Sequence, residues 1–202
     1  MIASSIILAA LAIPAALASP SLRLRQVPGC NSGTPGEFNS APNITFNALE
    51  TSQVASGDDG IPLVAATISN AGDETLYVLA TEASAGSGSG TVTDFSLESG
   101  VLAPIVPDEF SGSLNVQSGG ILEFASGNVG QEVSAEYCGF ANTDPSGGSI
   151  PQPLLALDGD TSDFALCESN DLNVVVFEAT ADNSGAYDFS TCVSVDILIF
   201  EY

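Results

Sequence analysis

Glycine interrupts this chain about once in every ten residues, 20 times in 202, and that spacing decides most of what it can fold into. Glycine costs a helix interior about 1 kcal/mol relative to alanine, and no long stretch carries apolar residues at a 3.6-residue period. Beyond Thr45, short apolar or alternating runs are instead separated by clusters of Gly, Asp, Asn and Ser, the punctuation of strands and turns. The runs predict strands at Thr45–Thr51, Pro62–Ser69, Thr75–Glu82, Thr91–Leu97, Ile121–Ala125, Val133–Phe140, Leu154–Leu157, Asp163–Glu168, Asn173–Ala179 and Cys192–Phe200. In the last of these Val193, Val195, Ile197 and Ile199 recur at spacing two and should face a core. Val174, Val175 and Val176 are consecutive and β-branched, the signature of a strand buried on both faces. The expected class is all-β, an antiparallel β-sandwich with two disulfides.

The N-terminus reads as a secretory signal. The apolar run Ile6–Ile13 precedes Pro14 and the small-residue pattern Ala16-Leu17-Ala18, which implies cleavage after Ala18. The run is too short to span ~30 Å of hydrocarbon. The organisation expected is therefore a signal peptide at 1–18, an extended Pro-, Gly- and Ser-rich segment at 19–44, and one β-sandwich domain at 45–202. A trypsin-like protease acting after Arg25 would expose Gln26. The runs Ala83–Gly90 and Asp144–Gly148 read as loops.

Charge excludes several classes of partner. The formal net charge is −23, the chain has neither Lys nor His, and its only cations are Arg23 and Arg25. No basic surface exists to neutralise phosphates, so nucleic acid is excluded as a partner, and anionic membranes should repel the protein. Cations, neutral glycans and basic proteins of the cell wall or extracellular space remain. Without His there is no Ser-His-Asp or Cys-His catalysis and no ordinary zinc enzyme. Without Lys there is no Schiff base and no P-loop. Only carboxylates, hydroxyls and amides are left to catalyse, and a carboxylate pair could serve an acid-acting hydrolase; the aspartic-peptidase triplet is absent, since Asp160-Thr161-Ser162 lacks its glycine.

Four cysteines in a secreted chain suggest two disulfides, for which Cys167–Cys192 and Cys30–Cys138 are the preferred pairs of the three possible connectivities. Asn43-Ile44-Thr45 is a glycosylation sequon. The sharpest local pattern is Asp158-Gly159-Asp160-Thr161-Ser162-Asp163. It has two readings: a calcium site with Asp158, Asp160 and Asp163 as oxygen ligands, or an Asp-Gly hairpin turn between two strands. It is similar to the start of an EF-hand loop, but Asp163 stands where that loop has glycine and Ser169 where it has glutamate.

The segment Ile68-Ser69-Asn70-Ala71-Gly72-Asp73-Glu74-Thr75-Leu76-Tyr77-Val78 resembles a hairpin of immunoglobulin-like extracellular domains. It is also similar to one in the pro-segments of fungal deuterolysin-type peptidases, whose two-histidine metal motif cannot be present here. In its combination of signal, few cysteines and Ser/Gly/Asp-rich strands, the whole chain resembles small secreted proteins of filamentous fungi. That resemblance implies a secreted, extracellular or cell-surface protein and no particular activity. The function expected is non-enzymatic, with an acid-acting hydrolase or a calcium-dependent binding module as the alternatives.

Overall fold

A computed structural model of the protein describes residues 36–52, 59–86, 90–127, 133–141 and 152–201. The expected signal peptide, Arg23, Arg25, Cys30 and the 144–148 loop lie outside the described residues. Fourteen strands are described: β1 Glu37–Phe38, β2 Ala41–Glu50, β3 Ile61–Ala71, β4 Glu74–Thr81, β5 Thr91–Val92, β6 Phe95–Glu98, β7 Val101–Pro104, β8 Ser111–Ser113, β9 Glu123–Gly127, β10 Tyr137–Phe140, β11 Leu154–Leu157, β12 Phe164–Ser169, β13 Leu172–Phe177 and β14 Asp188–Glu201. A helical turn, α1 at Glu82–Ala85, is capped by Thr81, whose side chain accepts from Ser84 N. It occupies the start of the run read as a loop from Ala83.

The chain is all-β, and every pair among the described strands is antiparallel. The expected sandwich is corrected in one respect: the sheet closes. Strand β14 pairs with β12 through Phe164↔Val195 and its neighbours, and with β2 from Val195↔Glu50 to Glu201↔Ile44. The ring β2–β3–β4–β13–β12–β14 returns to β2 as a six-stranded barrel. The reason is the length of β14, whose 14 residues reach past β12 and offer a second edge to β2. A sandwich would need that edge left open.

A small barrel is filled by its own side chains. Ile44, Phe46 and Ala48 from β2, Val175 and Phe177 from β13, and Val195, Ile197 and Ile199 from β14 meet in one core. That core continues under the outer strands, where Phe95, Phe124, Tyr137 and Leu155 join it. A smaller core lies on the opposite face of β3, β4, β12 and β13. There Val174, Val176 and Cys167 pack with Tyr187, so the three valines are buried on both faces as expected. The phenol of Tyr187 ties down the covering loop: it accepts from Thr180 N at 2.9 Å and donates to Thr180 O at 3.1 Å.

The outer strands extend from the ends of the long ones. Strand β2 leads through β6 to β7, β4 leads through β9 to β8, and β14 leads through β11 and β10 to β1. All ten expected strand regions contain strand. Thr91–Leu97 divides into β5 and β6, and Val133–Phe140 shrinks to β10 with an isolated bridge from Val133 to Leu114. The segment expected to be only a lead-in already supplies β1 and the start of β2. Val193, expected in the core, is 45% exposed. Val193 still pairs with Leu166 of β12, but β14 gains its second partner, β2, only from Val195 onwards.

The hairpin expected around Gly72 is present as β3–β4, with Ala71 opposite Glu74. Gly72 takes φ 66° at the first central position of the two-residue turn, where a type II′ turn requires glycine.

Candidate functional site

The strand ends and turns of β10, β11 and β13 bring five carboxylates to one cleft of ≈ 630 Å³, lined by Glu136, Asp158, Asp160, Asp163 and Glu178 with Phe177 and Asn115. Its frame is backbone. Asp158 N donates to Glu136 O at 3.0 Å, and Glu178 N donates to Asp163 O at 2.7 Å. Phe177 gives the wall its apolar part and packs on Phe164 with ring centroids 5.7 Å apart. Asn115 Nδ2 donates to Glu136 Oε1 at 3.5 Å.

The Asp158–Asp163 pattern forms a tight turn, but not the expected hairpin, since β11 pairs with β10 and β14 and β12 with β13 and β14. Leu157 and Asp160 exchange both backbone hydrogen bonds at 3.0 Å. Asp158 and Gly159 sit between them at φ 54° and 83°, the two left-handed central positions of a type I′ turn. Asp160 then closes a second local ring: its Oδ1 accepts from Ser162 N and from Ser162 Oγ, both at 2.8 Å. These bonds hold the Asp160 carboxyl below the ordinary carboxylate range. Asp163 is pushed the other way, by burial first and then by the charges of Asp160 and Glu178. Desolvation and like-charge crowding both favour the neutral acid.

Calcium takes six to eight converging oxygens at about 2.3–2.6 Å. Among the described residues no group of three or more His, Cys, Asp or Glu side chains is placed to hold a metal ion. Asp158, Asp160 and Asp163 therefore share a cleft but do not form the expected ligand set, because the turn spends the Asp160 oxygen on Ser162.

Behind the cleft Tyr137 is fully buried and its hydroxyl has no hydrogen-bond partner. Burial, and then the charges of Glu136 and Asp158, raise its pKa well above the ordinary phenol value. The phenol is neutral at any physiological pH.

The remaining expected residues fall elsewhere. Cys167 and Cys192 form the expected disulfide, which joins β12 to β14 beside the smaller core. Cys138 is buried and disulfide-bonded as well, and Cys30, its expected partner, lies outside the described residues. Asn43 is exposed on β2, where the register between β2 and β6 shifts between Ala41 and Ile44. Glu136 and Glu178 were not distinguishable in the sequence. Each is a lone acid beside a strand, and only the pairing of β10 with β11 and the turn after β13 carry them to Asp158 and Asp163.

The electrostatics predict a pH dependence. Asp163, Glu123 and Asp196 all have raised pKa values, the last two by burial alone. A carboxyl raised in the folded state binds its proton more readily there, so its contribution to stability grows as pH falls through the raised value and is lost as pH rises. Asp160 and Asp188, lowered by their Ser162 and Ser190 hydrogen bonds, act oppositely and lose their contribution only below the ordinary carboxylate range near about 4. The thermal midpoint should rise as pH falls from neutrality towards the ordinary carboxylate range near about 4 and fall again below it. A midpoint that declines steadily from neutrality downwards would contradict the assignment.

No protein-family model, no curated protein and no solved structure matches this chain.

Proposed function

We propose that this chain is a secreted, acidic, non-enzymatic protein of the extracellular space or cell surface, and that its carboxylate cleft receives cationic groups of a basic protein partner. One observation carries the reading: five carboxylates converge on a single cleft in a fold whose described residues include no Lys, Arg or His. The field of such a cleft is uncompensated from within, and walls of low dielectric focus it outward onto approaching cations. The signal-like N-terminus supports secretion. The absence of histidine and lysine from the sequence removes the commonest nucleophilic and general-base machinery.

A second reading rests on a specific contrast. Asp160 and Asp163 are neighbours whose pKa values are driven apart, the relation expected of a base and an acid that work together. An acid-acting hydrolase would use Asp163 as proton donor and Asp160 as the ionised partner. The non-enzymatic reading is preferred because Asp160 Oδ1 is already engaged by both donors of Ser162.

The two are separated by one pair of variants. Asp158→Asn/Asp163→Asn/Glu178→Gln and Asp59→Asn/Asp94→Asn/Asp182→Asn remove equal charge from inside and outside the cleft. Binding of a lysine-rich probe peptide should weaken about ten-fold in the first and about two-fold in the second, since each exposed pair is worth about 0.2–1 kcal/mol. Equal weakening in both would reduce the effect to net charge and defeat the cleft. Hydrolysis of a glycan or protein substrate at acid pH, abolished by Asp163→Asn, would establish the second reading instead.

A further inference from the structure

We propose that the apolar groove between β7 and β8 is the docking site of this chain's own N-terminal segment, residues 20–27, in which Leu22 and Leu24 alternate with Arg23 and Arg25. The inference takes the chain as processed after Ala18 and is independent of the acidic cleft.

The groove, of ≈ 410 Å³, is walled by Val101, Pro104, Ile105, Val106 and Phe110. Phe110 is 63% exposed and Ile105 38%. An aromatic ring so exposed, set among other apolar side chains, is the mark of a surface that something covers. Two carboxylates, Glu98 and Glu109, also line it. The groove thus asks for a short partner that is apolar and cationic at once.

Within the chain one segment has that chemistry. Arg23 and Arg25 are the only cations in the sequence, and in an extended segment residues two apart share a face. Leu22 and Leu24 would lie on the Phe110 and Ile105 wall, while Arg23 and Arg25, leaving from the opposite face, would fold their long stems over the rim to the carboxylates. A guanidinium suits such a pairing because its planar donors match a carboxylate. The acidic cleft holds more charge, but its apolar lining is limited to Val116 and Phe177 and gives the leucines little to cover.

The path of the chain allows it. The described fold begins at Gly36 and meets the turn between β6 and β7 almost at once: Gly100 N donates to Asn39 O at 3.0 Å, and Ser99 N donates to Ser40 Oγ at 3.1 Å. Strand β7, which follows that turn, forms one wall of the groove. The eleven residues from Arg25 to Gly36 span up to roughly 36–40 Å when extended, ample to return along β7. Tyr137 N also donates to Gly100 O at 3.0 Å, so a Cys30–Cys138 bond would fix the chain beside the same turn, five residues from Arg25.

The sequence supplies its own probe, because trypsin can cut this chain only after Arg23 and Arg25. The purified protein comprising residues 19–202 is treated with trypsin, beside a free peptide of residues 19–28 and the variants Phe110→Ser and Glu98→Gln. Proteolysis of a docked segment tracks the population in which it is released. Cleavage of the protein should be at least about ten-fold slower than that of the peptide. Phe110→Ser should bring the rate to within about two-fold of the peptide, with an unchanged thermal midpoint, and Glu98→Gln should have a smaller effect in the same direction. Cleavage as fast as the peptide's, or protection that Phe110→Ser leaves intact, would overturn the proposal. Protection that appears only as protein concentration rises, with a dimer in sedimentation, would assign the groove to a second copy and overturn it equally.

Discussion

Replacing Phe46 with alanine is expected to lower the unfolding free energy by about 3–5 kcal/mol, the range for a fully buried phenylalanine. Phe46 is 1% exposed and sits midway along β2, the strand that closes the barrel against β14 and also pairs with β3 and β6. Its ring meets Phe95 edge-on at 5.0 Å, and Phe95 meets Phe124 at 5.8 Å. Truncation therefore opens a cavity where the barrel core passes into the core beneath the outer strands. Both halves should lose stability together, as one transition in chemical denaturation monitored by far-ultraviolet circular dichroism. A loss below about 1 kcal/mol would mean that the surroundings collapse into the space. Two separated transitions would mean that barrel and outer strands are independent units.

The second large effect belongs to the disulfide. Converting Cys167 and Cys192 together to alanine should cost about 3–4 kcal/mol, the chain-entropy value for a closed loop of this size. The bond spans a sequence separation of 25 and joins β12 to β14 close to where their register breaks. Folded-state packing should change little, since Cys167 is replaced by a residue of similar character in the smaller core, so the effect should lie mainly in the unfolded chain. The denaturation midpoint should fall while the denaturant dependence increases, because an unbridged chain exposes more surface on unfolding. An unchanged midpoint would show that the unfolded chain is already constrained within this loop.

Strand positions were legible because burial writes itself into short-range pattern. Val174–Val176, the Gly72 turn and the Asp158-Gly159 turn each obey a local rule, and each stands where that rule places it. Closure of the barrel was not legible, because nothing local in β14 says that its second half will find β2, about 150 residues earlier in the chain. Strand β8 was invisible for a related reason: Ser111-Gly112-Ser113 has no apolar alternation, and it becomes a strand only through its register with β9. Val193 shows the converse failure: it keeps the alternation and pairs with Leu166, but it stands before Val195, where β2 begins to cover the other edge of β14. At the cleft, the sequence pointed to Asp158, Asp160 and Asp163 as a linear motif. The structure keeps all three but completes the cleft with Glu136 and Glu178, which no linear spacing connects to them.

The pairing of β14 with β2 also orders events in time. Of the described strands, the one that seals the barrel comes last in chain order, and its partner is the second. Until β14 is available, β2 has one edge unpaired and the interior lined by Ile44 and Phe46 stays open to water. Contacts of such long sequence separation make folding slow. The nascent chain thus carries an exposed, apolar strand edge until β14 emerges, and its dense negative charge keeps neighbouring copies apart until the barrel shuts.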